Sequence, residues 1–66
     1  MVIEIIYPNG RSKTLNLKNI RVGELLKRLG LLREEYVVAR NRSIVTEDDM
    51  VLDGDKIFLY PVVSGG

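Results

Sequence analysis

Within 66 residues the spacing of apolar side chains changes twice, and this restricts the fold more than any other feature of the chain. Val22, Leu25, Leu26 and Leu29 stand at i, i+3, i+4 and i+7, the repeat that lines one face of an α-helix. On either side of them the repeat is two. Ile3, Ile5 and Tyr7 alternate with Val2, Glu4 and Ile6, and Leu15 and Leu17 alternate with Thr14 and Asn16, as in strands with one buried face. A chain of this size buries only about 60% of its unfolded surface, so a single helix among strands must cover one sheet. There are no cysteines, which leaves packing alone to hold that small core.

Turn residues divide the pattern into elements. Pro8-Asn9-Gly10-Arg11 reads as a hairpin turn between the first two strands, with Asn-Gly the strongest short signal for one. The helix is expected over about residues 21 to 30, with Asn19 the nearest candidate N-cap. Gly30 is placed to end it as a left-handed cap, and Leu31 to supply the hydrophobic contact beyond. Strands resume at Tyr36 to Arg40 and Ser43 to Val45, around the turn Asn41-Arg42. Met50 to Leu52 follows, then the sharp turn Asp53-Gly54-Asp55 and a last strand from Lys56 to Val63.

After Lys56 that last run is continuously apolar. The pattern suits a central strand with the core on one face and a helix or a partner on the other. Ile57 and Leu59 should face the helix, and Phe58 and Tyr60 the opposite side. Pro61 has no N–H to donate, so the chain should leave the sheet near it. The whole order describes an α+β roll, a mixed four- to five-stranded sheet packed on one main helix. It forms one domain over residues 1–63, with Ser64-Gly65-Gly66 as a flexible tail.

The residues present argue against catalysis by this chain. Without His or Cys it lacks the usual near-neutral base, the thiol nucleophile and most zinc ligands. Ser12, Ser43 and Ser64 have no His to activate them, and the spacing of Lys13, Lys18, Lys27 and Lys56 suggests no lysine-based substitute. Glu47-Asp48-Asp49 and Asp53-Gly54-Asp55 lack the loop and closing Glu of a calcium hand and read as solvated turns, so no metal site is expected. The net charge of +1 gives no bulk attraction to nucleic acid. Arg40 and Arg42 bracket one turn and Arg11 and Lys13 another, each pair reading as solvated loop charge rather than a phosphate track. Met1 to Pro8 is apolar, but Glu4 interrupts it and no basic segment precedes it, which argues against a signal peptide or membrane span. With no cysteine to oxidise, a cytoplasmic location is expected.

The tail points to another kind of role. Glycine carries the highest ordering cost and packs nothing, so Gly65-Gly66 is a poor way to finish a strand. It offers instead a slim backbone able to thread a narrow channel and present its carboxylate to another protein's active site. Phe58, Tyr60 and Val62, expected on the face away from the helix, are the candidate residues for docking that protein.

Three segments together carry a family resemblance: Val22-Gly23-Glu24-Leu25-Leu26 with Leu29-Gly30, then Val37-Val38-Ala39-Arg40-Asn41, then Asp53-Gly54-Asp55-Lys56-Ile57 leading to Pro61-Val62-Val63-Ser64-Gly65-Gly66. Over essentially its whole length the chain resembles the ubiquitin-like sulfur carriers, which include the thiamin-thiazole sulfur carrier, the molybdopterin synthase small subunit and the small archaeal modifier proteins. It departs from them at Arg21, where Ser or Thr is usual, and at Asn41-Arg42-Ser43, where many members carry Asn-Gly-Glu. The resemblance implies the ββαββ β-grasp fold. It also implies that a ubiquitin-activating-type enzyme adenylates the Gly66 carboxylate with ATP, and that a persulfide donor converts it to a thiocarboxylate. The sulfur then passes to an acceptor synthase, for thiamin or molybdopterin biosynthesis or for tRNA thiolation. On this reading the chain binds no cofactor itself and contacts neither nucleic acid nor membrane. Two alternatives remain: a ubiquitin-like modifier joined to target lysines through Gly66, and a β-grasp binding module with an incidental tail.

Overall fold

The computed structural model describes residues 1–63. Strands β1 (Val2–Ile6) and β2 (Ser12–Asn16) form an antiparallel hairpin with Ile3 opposite Leu15 and Ile5 opposite Lys13. The connection is longer than a two-residue turn. The Tyr7 N–H donates to the Arg11 carbonyl at 2.8 Å, and the Gly10 N–H donates to the Tyr7 carbonyl at 2.9 Å. Pro8 supplies a preset φ at the first corner and Gly10, at φ 86°, takes the left-handed position, so Asn9 keeps an ordinary backbone.

The main sheet has five strands, in the order β2-β1-β7-β4-β5, where β4 is Tyr36–Arg40, β5 is Ser43–Val45 and β7 is Lys56–Pro61. The last strand is central, as its apolar run implied. It lies parallel to β1, with Ile5 beside Ile57, and antiparallel to β4, with Val38 opposite Leu59. Ile57 and Leu59 are buried together with Ile3, Ile5 and Val38, under Val22, Leu25 and Leu26 of the helix. The strand ends at Pro61, and one further bond runs from the Val62 N–H to the Glu35 carbonyl at 2.9 Å. Alternate residues of a strand address alternate neighbours, so Pro61 turns its nitrogen to the β1 side, where pairing has already stopped at Phe58. Proline therefore removes no ladder bond here.

Helix α1 (Val22–Arg28) is capped by Arg21 rather than by the expected Asn19. The reason is a short strand that the residue pattern did not reveal. β3 (Ile20–Arg21) pairs with β6 (Met50–Val51) in a separate two-stranded sheet, which holds Arg21 extended. No side chain caps the helix. Carbonyls of the segment before β6 take that role: the Val22 N–H donates to Asp49 and the Gly23 N–H to Glu47, each at 2.9 Å. This close approach accounts for Gly23, where a Cβ would stand 3.2 Å from the Glu47 Cβ. The other end behaves as expected. Gly30 adopts φ 75°, its N–H donates to the Lys27 carbonyl, and the Leu31 N–H reaches back to Leu26.

The acidic turns are not simply solvated, and this corrects the sequence reading. Asp49 accepts the Thr46 N–H, Asp53 accepts the Val2 N–H, and Asp55 accepts the Leu52 N–H, at 2.7, 2.7 and 2.8 Å. Asp55 is only 7% exposed, with the Arg40 Nε 3.8 Å from its carboxylate. Arg40 also donates to the Met50 carbonyl at 2.6 Å. It is a brace between β4 and the turn that launches β7, not a free loop charge.

Candidate functional site

The sheet face away from α1 is set by strand register. Residues opposite Ile57 and Leu59 point toward the helix, so Phe58, Tyr60 and their cross-strand partners point away. Phe58 lies beside Ile6 on β1 and opposite Ala39 on β4, and Ala39 in turn is opposite Ile44 on β5. One apolar row thus crosses four strands. A second begins with Tyr60 opposite Val37. The Phe58 and Tyr60 rings stack along β7, their centroids 6.4 Å apart and their planes 13° from parallel.

The sequence-predicted docking residues fall on this face with unequal exposure. Phe58 is half-buried, Tyr60 is 52% exposed, and Val62 is exposed just beyond the strand. Three further residues were not singled out from the sequence: Ile6, Val37 and above all Ile44, which is 77% exposed on a three-residue edge strand. The signal was present. Val37-Val38-Ala39 and Ile57-Phe58-Leu59-Tyr60 are both apolar without alternation, which is what two neighbouring strands with two apolar faces require.

The face is graded. Glu4 and Lys56 sit side by side at the start of β7, and the outward positions of β2 are Ser12, Thr14 and Asn16. The apolar part therefore lies over β7, β4 and β5, toward the end where the chain leaves the sheet. The Val62–Glu35 bond fixes that exit. Ser64, Gly65 and Gly66, the predicted acyl-donor tail, lie outside the described residues. Among the described residues no three His, Cys, Asp or Glu side chains gather as a metal site, and no helix is long and apolar enough to cross a membrane.

Known proteins share this architecture. The fold matches a crystal structure of SAMP1 from Haloferax volcanii with a TM-score of 0.76, at 21% identity and over 100% of both chains. It matches the thiamine biosynthesis protein ThiS from Geobacter metallireducens with a TM-score of 0.72, at 25% identity and again over 100% of both chains. A computationally designed protein based on human erythrocytic ubiquitin aligns with a TM-score of 0.66 and 24% identity, over 98% of this chain and 95% of that one. These likenesses establish the β-grasp, ubiquitin-like fold. The sequence also matches the model of the ThiS family over residues 3–66. The chain belongs to the ThiS family of small ubiquitin-like sulfur carriers, which are not enzymes.

Proposed function

We propose that this protein carries sulfur as a thiocarboxylate on Gly66. The family match carries the reading. The graded sheet face supports it, because its apolar part adjoins the point where β7 hands the chain on to residues 62–66. A carboxylate is a poor acyl donor, since oxide would have to leave. A partner enzyme therefore lets the Gly66 carboxylate oxygen attack the α-phosphate of ATP, releasing pyrophosphate and forming an acyl-adenylate. The outer sulfur of a partner's persulfide attacks the carbonyl carbon and AMP departs. A second thiol then cleaves the resulting S–S bond, freeing the thiocarboxylate and leaving a disulfide on the partner. This chain supplies the docking face and the tail. The recipient is an acceptor synthase in thiamin or molybdopterin assembly or in tRNA thiolation.

Intact-mass measurement on protein isolated from its native host tests this reading. The carrier role requires a species heavier by one sulfur in place of one oxygen. Lysine adducts ending in a diglycine remnant, without that species, would make the protein a modifier instead.

The docking face has its own test. Ile44→Ala, at an exposed side chain, should shift stability by no more than about 0.5 kcal/mol, and Tyr60→Ala, which also gives up its stack on Phe58, by about 0.5–1.5 kcal/mol. Each should raise the KM of the activating enzyme for the carrier by roughly tenfold or more, the effect of losing an interface anchor worth over about 1.4 kcal/mol. Unchanged KM for both variants would remove the outer face from the docking site.

A further inference from the structure

A second surface lies on the opposite flank, at the free edge of the sheet. Strand β2 is an edge strand, bonded to β1 alone among the described residues. The Leu17 N–H donates to the Met1 carbonyl and the Tyr7 N–H to the Arg11 carbonyl, each at 2.8 Å. In an antiparallel pair such bonds recur at every second residue, so positions 11, 13, 15 and 17 address β1. The N–H and C=O groups of Ser12, Thr14 and Asn16 are therefore turned outward, toward a place where a sixth strand would lie.

Cations outnumber acids around this edge, where the acids are Glu4, opposite Thr14, Asp53, which accepts the Val2 N–H, and Glu24. No acidic residue occurs between Glu4 and Glu24, whereas Arg11, Lys13 and Lys18 do. Lys13, opposite Ile5, projects on the helix side of β2. Lys18 and Arg28 line one cleft between the end of β2 and the helix, with Glu24 the only acid there. All four cations are exposed, and none forms an ion pair with another described residue. The acids Glu34, Glu35, Glu47 and Asp48 belong to the other flank, on the 3₁₀ turn Arg33–Glu35 and the segment after β5.

Lysine on a free edge discourages pairing with a second copy of the same edge, because like charges would face each other. The same charges select a strand of opposite sign. We propose that β2 is an augmentation site for an extended acidic peptide of a protein partner. The peptide's backbone pairs with Ser12, Thr14 and Asn16, and its carboxylates meet Arg11, Lys13, Lys18 and Arg28. Strand addition of this kind draws affinity from the main chain and selectivity from flanking side chains. β1 separates this edge from β7, so the Phe58–Tyr60 face stays open while the peptide is bound. The proposal is independent of the sulfur-carrier reading.

The test uses the full-length, ¹⁵N-labelled chain and a capped nonapeptide alternating Val with Asp or Glu. Its counterpart carries Lys at every acidic position. At saturation the acidic peptide should slow hydrogen exchange at the Ser12, Thr14 and Asn16 amides by roughly tenfold or more, with Lys13 and Leu15 unchanged. Raising ionic strength to about 0.5 M should weaken binding roughly tenfold, and the double variant Lys13→Glu, Lys18→Glu should bind the Lys peptide in preference. Thr14→Pro deletes one outward N–H without breaking a bond to β1, and should abolish the added protection. Unaltered protection at Lys13 and Leu15 would show that this variant is folded. No added protection from millimolar acidic peptide, or equal protection from the Lys peptide, overturns the proposal. So do shifts at the four cations while all three amides keep exchanging freely, since these would mark an ionic contact with no strand added.

Discussion

Adding a single alanine after Gly66 is expected to abolish thiocarboxylate formation and leave the thermal unfolding transition where it is. The extra residue carries the carboxylate about 3.5 Å further along an extended chain. A reacting oxygen tolerates misplacement of only about 1 Å before a near-attack geometry is lost. Gly65→Ala should slow adenylation strongly for a related reason. A channel that keeps water from a hydrolysable acyl-adenylate must enclose the backbone closely, and only glycine leaves room on all sides. Neither change touches the buried set of Ile3, Ile5, Leu25, Ile57 and Leu59, so folding is unaffected. The measurement is mass gain with activating enzyme, ATP and a persulfide donor. An Ala-extended chain that is thiolated as fast as the native one would mean that the terminal carboxylate is not held in a defined geometry, and the carrier mechanism would fail.

Leu59→Ala and Ile57→Ala are expected to destabilise the fold by about 2–5 kcal/mol each, the range for deleting a large buried aliphatic side chain. Both residues lie on the central strand. They are 2% and 0% exposed, and they pack on β1 and β4 at once as well as on the helix. Single domains are stable by only about 5–15 kcal/mol, and a small one stands near the lower end. Either variant should therefore be partly unfolded near physiological temperature. Urea titration would show a lowered midpoint with an unchanged slope. A loss under about 1 kcal/mol would mean that the core closes over the gap, and that β7 is less central to stability than its burial implies.

What could be foreseen from the residues, and what could not, divides by the distance over which information is needed. The helix stripe from Val22 to Leu29, the cap at Gly30 and the split of β7 into Ile57–Leu59 and Phe58–Tyr60 faces are local patterns, and each is found in the structure. The family resemblance, carried by segments spread along the chain, likewise agrees with the ThiS match. The pairing of Ile20–Arg21 with Met50–Val51 is different. Two residues make no periodicity, and only their meeting across the chain makes them strands. Asn19 was the reasonable cap by residue type, but carbonyls of Glu47 and Asp49 cap the helix and leave no trace in the sequence near it. Asp49, Asp53 and Asp55 looked like solvated turn residues because their amide partners, and the Arg40 beside Asp55, could be placed only in three dimensions. At the candidate site Phe58 and Tyr60 were legible by alternation, whereas Ile44 joined them only once the β4–β5 register put it opposite Ala39.

The parallel pairing of β1 with β7 bears on how the protein is made. Ile5 and Ile57 come from nearly opposite ends of the chain, yet each completes the other's burial. A nascent chain emerging from the ribosome has β1, β2, the helix and β4 available early, but no middle strand to join the hairpin to the second half. Closing so long a loop is slow compared with local pairing, and it becomes possible only after the last strand has been synthesised. Folding should therefore wait for β7 and be close to all-or-none. A chain broken off before Lys56 would lack both the hydrophobic centre of the sheet and Phe58 and Tyr60 of its outer face. Such a fragment would stay open to proteolysis and could not compete for the partners of the finished protein.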